Sequence, residues 1–360
     1  MFSLKDKKLA EEIVSKIKKE NVKLKFMHVC GTHQDTLVKH GLDSLLKDCG
    51  IEIGQGPGCP VCVTTPREIE EMLLLAQSGK VVTSFGDMIN VPGEHKSLRS
   101  IKGEGYDIRT VYGIEDAVKM AVENPEKEII FMAVGFETTA PTTASVILNN
   151  PPNNFSILCC HRTIPNALKA LIEMGEVKLN GLIEPGHVST IIGSKPYEFL
   201  SKDYEIPQVI AGFEPIDLLM ASYMLVKQIK DGKSRVENEY KRAVHPDGNI
   251  KALKALDDVF EPCDVQWRGF PVIPGSGLKL KPKFEKYNAR INYADILSPL
   301  ADKEFHEPKG CLCGELLRGL VSPFECPLFG KACTPDTPVG PCMVSVEGSC
   351  NIEYRYSKMK

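Results

Sequence analysis

The sequence predicts an α/β protein with two parallel-sheet α/β domains around a cleft, followed by a small loop-rich C-terminal domain tied together by metal. Three observations carry this reading. The first two thirds of the chain alternate short β-rich runs with helical patterns, as parallel sheets flanked by helices require. At 360 residues the chain is long for one core. Six of its thirteen cysteines fall within forty residues near the end, among Gly- and Pro-rich segments.

Taken in order, residues 25–29, 81–85, 128–134, 155–160, 181–184 and 207–211 read as buried strands. Helices follow most of them. Thr65-Pro66-Arg67-Glu68 is a helix start, with Thr65 as N-cap, Pro66 at the first helical position and Glu68 closing a capping box before the stripe Ile69, Met72, Leu73 and Ala76. Residues 216–230 and 249–260 are further helices. The domains are expected at 1–125, 126–232 and 233–360.

Composition excludes several function classes. Forty-four basic against forty-seven acidic residues, without a like-charged run, argue against nucleic acid as a partner. Met1-Phe2-Ser3-Leu4 leads into charged sequence and not an apolar signal, and runs such as residues 129–134 are too short to span a bilayer. A cytoplasmic location without membrane attachment is expected. In a reducing compartment thirteen cysteines point to metal ligation or redox chemistry and not to structural disulfides.

The candidate site residues sit where strands end, the place ligands collect in parallel sheets. Cys30-Gly31-Thr32-His33 follows the first strand and offers a soft and a borderline ligand three residues apart. It should lie at an exposed strand end. Cys59 and Cys62, in Gly56-Pro57-Gly58-Cys59-Pro60-Val61-Cys62, have the spacing of a reversible disulfide or of half a metal site, in a turn expected to be exposed. Asp87, Glu137, Thr138, His161, His187 and Glu214 stand in other strand-end turns and are candidates for acid–base or hydrogen-bonding groups, or for plain loop stabilisers. Cys49, Cys159, Cys160 and Cys263 read as packing thiols. Near the C-terminus Cys311, Cys326, Cys333 and Cys350 are separated by 14, 6 and 16 residues. They suit an all-thiolate [4Fe–4S] cluster or a structural zinc ion, and spacing alone does not choose. Cys313 and Cys342 are left over, two thiols able to pair beside such a centre.

In order along the chain, Cys30–His33, the Gly56–Cys62 stretch, GFETTAP from Gly135, PGHVS from Pro185, GFEPID from Gly212, Trp267-Arg268-Gly269 and the closing CTPDTPVGPCMVSVEGSC resemble the hydrogenase maturation factor HypD family over nearly the whole chain. One departure is Gln34, where the family motif commonly has glutamate. The resemblance implies two α/β domains plus an iron–sulfur domain, a complex with the small chaperone HypC, and a scaffold on which the Fe(CN)2CO unit of [NiFe]-hydrogenase is built, with HypE supplying cyanide as a cysteine-bound thiocyanate. It implies that Cys30 and His33 hold the transient iron, that Cys59 and Cys62 are a redox-active pair, and that the four spaced cysteines hold the [4Fe–4S] cluster; Cys313 and Cys342, the two thiols left over, are then candidates for a redox pair near it. The protein is then a metallocentre assembly scaffold with a thiol-redox and cyanide-transfer role, not a free-standing enzyme. Two alternatives remain: a stand-alone iron–sulfur thiol-disulfide reductase, and a zinc-stabilised binding module.

Overall fold

A computed structural model describes residues 7–357. Eleven strands lie among the described residues: β1 (Leu24–His28), β2 (Ile51–Gln55), β3 (Val81–Ser84), β4 (Ile108–Thr110), β5 (Ile129–Gly135), β6 (Phe155–His161), β7 (Gly181–Pro185), β8 (Gln208–Ala211), β9 (Val236–Asn238), β10 (Phe260–Gln266) and β11 (Val272–Leu280). All six expected strands are present, within a residue or two at their ends. Two wholly parallel sheets form, one in the order β2-β1-β7-β8-β9 and one in the order β4-β3-β5-β6. Every residue of β5 is buried, as a strand covered by helices on both faces must be.

The connectivity differs from a simple succession of units. The chain builds β1 and β2, leaves to make all four strands of the second sheet, and returns for β7, β8 and β9. The expected boundary near residue 125 therefore falls inside the second sheet, between β4 and β5, both neighbours of β3. Periodicity identifies a strand but not its partner, so a discontinuous unit is invisible to it. The boundary at 233 shifts as well. β9 belongs to the first sheet, and the β10–β11 hairpin packs on the second, where Phe260, Leu280, Phe284 and Tyr287 share a core with Phe131, Phe155 and Ile157.

The helix Pro66–Gln77 has the expected capping box, with Glu68 N–H donating to Thr65 Oγ1 and Thr65 N–H donating to the Glu68 carboxylate at 2.8 Å. The helices Pro215–Lys230 and Ile250–Val259 also form where expected. Beyond residue 300 the helices are short, Cys313–Leu317, Pro341–Val344 and Ser349–Ser357, joined by loops. No helix among the described residues is long and apolar enough to cross a membrane.

Candidate functional site

The carboxyl ends of both sheets and the C-terminal loops meet at the turn after β1. Cys30 caps the helix Gly31–Lys39, and its sulfur is faced by the N–H groups of Thr32 and His33. The turn is tightly covered. A Cβ on Gly31 would lie 2.4 Å from Glu347 Cβ, and one on Gly58 2.2 Å from Cys30 N, so only glycine lets the C-terminal loops and the Cys59 segment approach so closely. Cys30 is consequently 8% exposed, not at an exposed strand end. Burial pushes its thiol up to about 11, against the pull of the facing N–H groups.

His33 is fully buried, and its Nε2 lies 2.9 Å from the Gly212 carbonyl. A carbonyl only accepts, so Nε2 carries the proton and Nδ1 keeps its lone pair. That Nδ1 is buried without a hydrogen-bond partner. Burial first, then the neighbouring His28, lower the ring to about 3, so the imidazole is neutral at physiological pH. Cys30 and His33 thus supply a thiol and a free imidazole lone pair from one turn, the borderline-to-soft donors an iron centre accepts. Phe213 packs against His33 at 5.3 Å between ring centroids and stacks on the exposed His187 at 3.8 Å. Gln34 accepts from His28 Nε2 at 2.8 Å and donates to Glu353 at 3.2 Å. A glutamate at position 34 could make the first contact but not the second, so the amide matches these neighbours.

Cys59 and Cys62 are joined as a disulfide on the short helix Pro60–Val63. Both are 0% exposed. The expected exposed turn is instead covered by the C-terminal loops, with Cys62 Sγ 3.9 Å from the Pro341 carbonyl oxygen. The local Gly-Pro pattern fixes the turn but carries no sign of a cover about 280 residues away in sequence.

The remaining candidates divide. Glu137 is buried, accepts from Ile164 N–H at 2.9 Å, and is pushed up to about 7 by burial; Thr138 beside it is exposed. Asp87 is half-buried and acts electrostatically on Glu347, which in turn acts on Cys30. His161, fully enclosed, pairs with Thr143 Oγ1 at 2.9 Å in the interior of the second sheet's surroundings. Glu214 serves as the N-cap of the helix Pro215–Lys230.

Two groups that the motifs did not single out lie among these. Glu184, at the end of β7, is 0% exposed with neither carboxylate oxygen hydrogen-bonded, and burial raises it to about 8. Tyr197 is buried within electrostatic reach of Glu184, Glu137 and Cys30 together. A glutamate inside the apolar run Leu182-Ile183-Glu184-Pro185 was the available signal. Because unfolded Glu184 releases its proton near 4.5 and the folded group near 8, its contribution to stability is complete below pH 4.5 and is lost as the pH rises through 8. Glu184→Gln removes that loss, worth up to about 1.4 kcal/mol per pH unit. Urea unfolding at pH 5.5 and 7.5 should therefore show the variant gaining on the parent at the higher pH; a constant gap means that folded Glu184 is already ionised.

The six C-terminal cysteines converge. Cys311, Cys313 and Cys342 form a hydrogen-bonded chain of thiols. Cys350 is within electrostatic reach of Cys311, Cys313, Cys326 and Cys333, and also of Cys342. Cys333 Sγ accepts the Val339 N–H at 3.3 Å. No three His, Cys, Asp or Glu side chains among the described residues stand in a closed arrangement for a single metal ion. A donor set made of thiols alone is chemically suited to an iron–sulfur cluster, whose ligands bind separate irons, as well as to zinc. The buried guanidinium of Arg268 acts on both Cys313 and Cys342 and has an unpartnered Nη2, which favours an anionic occupant.

Comparison with known proteins returns matches along the whole chain. A family model described as HypD, hydrogenase formation hypA family, matches residues 5–357. A Methanocaldococcus jannaschii protein named for hydrogenase expression and formation is 48% identical, covering 100% of both chains. The hydrogenase maturation factors HypD of Cupriavidus necator and Escherichia coli are 39% and 40% identical, covering 99% and 94% of this chain and 96% and 90% of their own lengths.

Proposed function

Since this chain belongs to the HypD family of hydrogenase maturation factors, we propose that it is the scaffold on which the Fe(CN)2CO unit of [NiFe]-hydrogenase is assembled, in complex with HypC and with HypE as cyanide donor. The observation that carries this reading is the convergence of three thiol sets on one turn: Cys30 with the free His33 Nδ1, the Cys59–Cys62 pair behind Gly58, and the C-terminal cysteines whose loop covers both.

Cys30 and His33 would hold the transient iron, with HypC supplying further ligands. Neutral imidazole is the form that ligates, and burial keeps His33 neutral. Cleaving the sulfur–carbon bond of a thiocyanate to release cyanide consumes two electrons and leaves a thiolate. Cys59 and Cys62 can provide those electrons by closing from dithiol to disulfide with release of two protons. Cys311, Cys326, Cys333 and Cys350 would hold a [4Fe–4S] cluster, which supplies electrons one at a time, and Cys313 and Cys342 would form the thiol pair next to it. Glu137 and Glu184, whose carboxyls burial raises to about 7 and about 8, are suited to hold protons, and Tyr197 lies within electrostatic reach of both and of Cys30. Complete burial of Cys59 and Cys62 argues against a stand-alone reductase acting on the disulfide of another protein.

The test is co-purification with HypC under anaerobic conditions, with iron counted beyond the cluster and the infrared bands of bound CN and CO recorded. The parent complex should show both bands, and Cys30→Ala should lose them while retaining cluster iron. Unchanged bands in Cys30→Ala remove that residue from the iron site.

A further inference from the structure

The Trp267-Arg268-Gly269 turn supplies no ligand to the sites described so far, yet it puts a permanent charge in the interior. An arginine cannot shed its proton in a protein, and burying such an ion costs several kcal/mol unless it is compensated. Arg268 is 2% exposed. Its Nε donates to the Thr64 carbonyl at 2.9 Å, its backbone N–H to the Val63 carbonyl at 2.9 Å, and Nη1 pairs with Glu307, whose side chain is 32% exposed. Nη2 is buried with no partner.

Glu307 balances Nη1, but the unmatched Nη2 leaves room for a second acceptor, and the packing shows where. Gly269 has φ +79°, and a Cβ there would lie 2.3 Å from Gly314 Cα. The two glycines allow backbone to touch backbone, which fixes the turn against Cys313. From that place the guanidinium acts on Cys313 and Cys342, with Cys311 hydrogen-bonded to Cys313 and Cys350 in reach.

We propose that Arg268 is the countercharge of the C-terminal thiol site, balancing the thiolates and the iron–sulfur group they hold and setting how readily that group accepts an electron. The proposal rests on the cluster reading above. Glu307 is its counterpart, a carboxylate that draws off part of the cation's field. Reduction adds one electron to the cluster, taken from a dithionite-class reductant, and forms or breaks no bond in the protein. The added negative charge is stabilised by Arg268 and opposed by Glu307, so the two residues have opposite effects.

Anaerobic redox titration with dithionite, followed by visible absorption and electron paramagnetic resonance, tests this on the full-length protein. Arg268→Gln should lower the equilibrium constant for reduction about tenfold, about 59 mV for a one-electron couple, and Arg268→Lys should restore most of it. Glu307→Gln should move the potential the other way. Iron release from the oxidised protein to a chelator should be faster in Arg268→Gln than in the parent. If Arg268→Gln does not fold, the partly exposed Glu307 carries the test through the sign of its shift. Potentials unmoved by the substitutions that fold, or Arg268→Gln and Glu307→Gln shifting together, overturn the role of Arg268 alone. A parent protein that holds zinc and no iron overturns the cluster reading as well.

Discussion

With the cluster ligated as proposed, serine in place of Cys326 is expected to strip the iron from the C-terminal segment and to loosen it. The segment's own structure is weak: its helices span five, four and nine residues, too short to be stable alone, so it is held by the thiol site together with the packing of Leu316, Leu317 and Met343 on the core. Metal ligation contributes on the order of 10 kcal/mol or more to small thiolate-bound domains, comparable with the whole stability of an ordinary domain, about 5–15 kcal/mol. Iron and sulfide content after anaerobic purification, with limited proteolysis beyond residue 300, measures the outcome. Cys263→Ser is the control, since Cys263 lies on β10 in the hairpin, and it should keep both iron and protease resistance. The loss should also be felt at a distance. The loop bearing Pro341 and Glu347 covers Cys62 and the Cys30 turn, so alkylation of Cys30, and of Cys59 and Cys62 once reduced, should become faster in Cys326→Ser. A full complement of iron in that variant would remove Cys326 from the ligand set.

Much of this could be read from the residues, and the gaps share one cause. Strands, the Thr65 capping box and the helix Pro215–Lys230 are set by interactions within a few residues, so their patterns are written locally. The order β2-β1-β7-β8-β9 is not, because it depends on crossovers that carry the chain to another sheet and back. The site divides in the same way. Cys30, His33, Cys59 and Cys62 stand out by residue type and spacing, but Cys30 and Cys62 are covered from residues 341–347 and His33 from Gly212 and Phe213, and such distant cover has no local signal. Glu184 carries no such mark, because a single carboxylate in a strand has no spacing to set it apart. The same holds for Arg162, a buried arginine after β6 whose partner is 94 residues away.

That partner sets the last expected result: Glu68→Ala should destabilise the protein by about 3–5 kcal/mol, the usual cost of orphaning one member of a buried ion pair. Arg162 Nη2 lies 2.7 Å from Glu68 Oε2, with the two side chains 2% and 10% exposed. The arginine also donates to the Cys160 and Gln266 carbonyls and stands 5.9 Å from the centre of the Trp267 ring. It thereby binds the end of β6, the helix Pro66–Gln77 and the β10 end of the hairpin into one unit. Burial opposes the charge on Glu68, but Arg162, then Arg290 and the Thr65 N–H, hold its carboxyl below the ordinary range. Its contribution is therefore present above the unfolded pKa near 4.5 and is lost as the pH falls through the lower folded value. The carboxylate half of the Thr65 capping box goes with the same side chain, while the backbone N–H of residue 68 still donates to Thr65 Oγ1. Denaturant unfolding of Glu68→Ala, Arg162→Met and the double variant separates these effects. The double variant should be more stable than the sum of the single losses, because it leaves no buried charge unpaired. Strict additivity would mean that the pair, despite its burial, is not coupled.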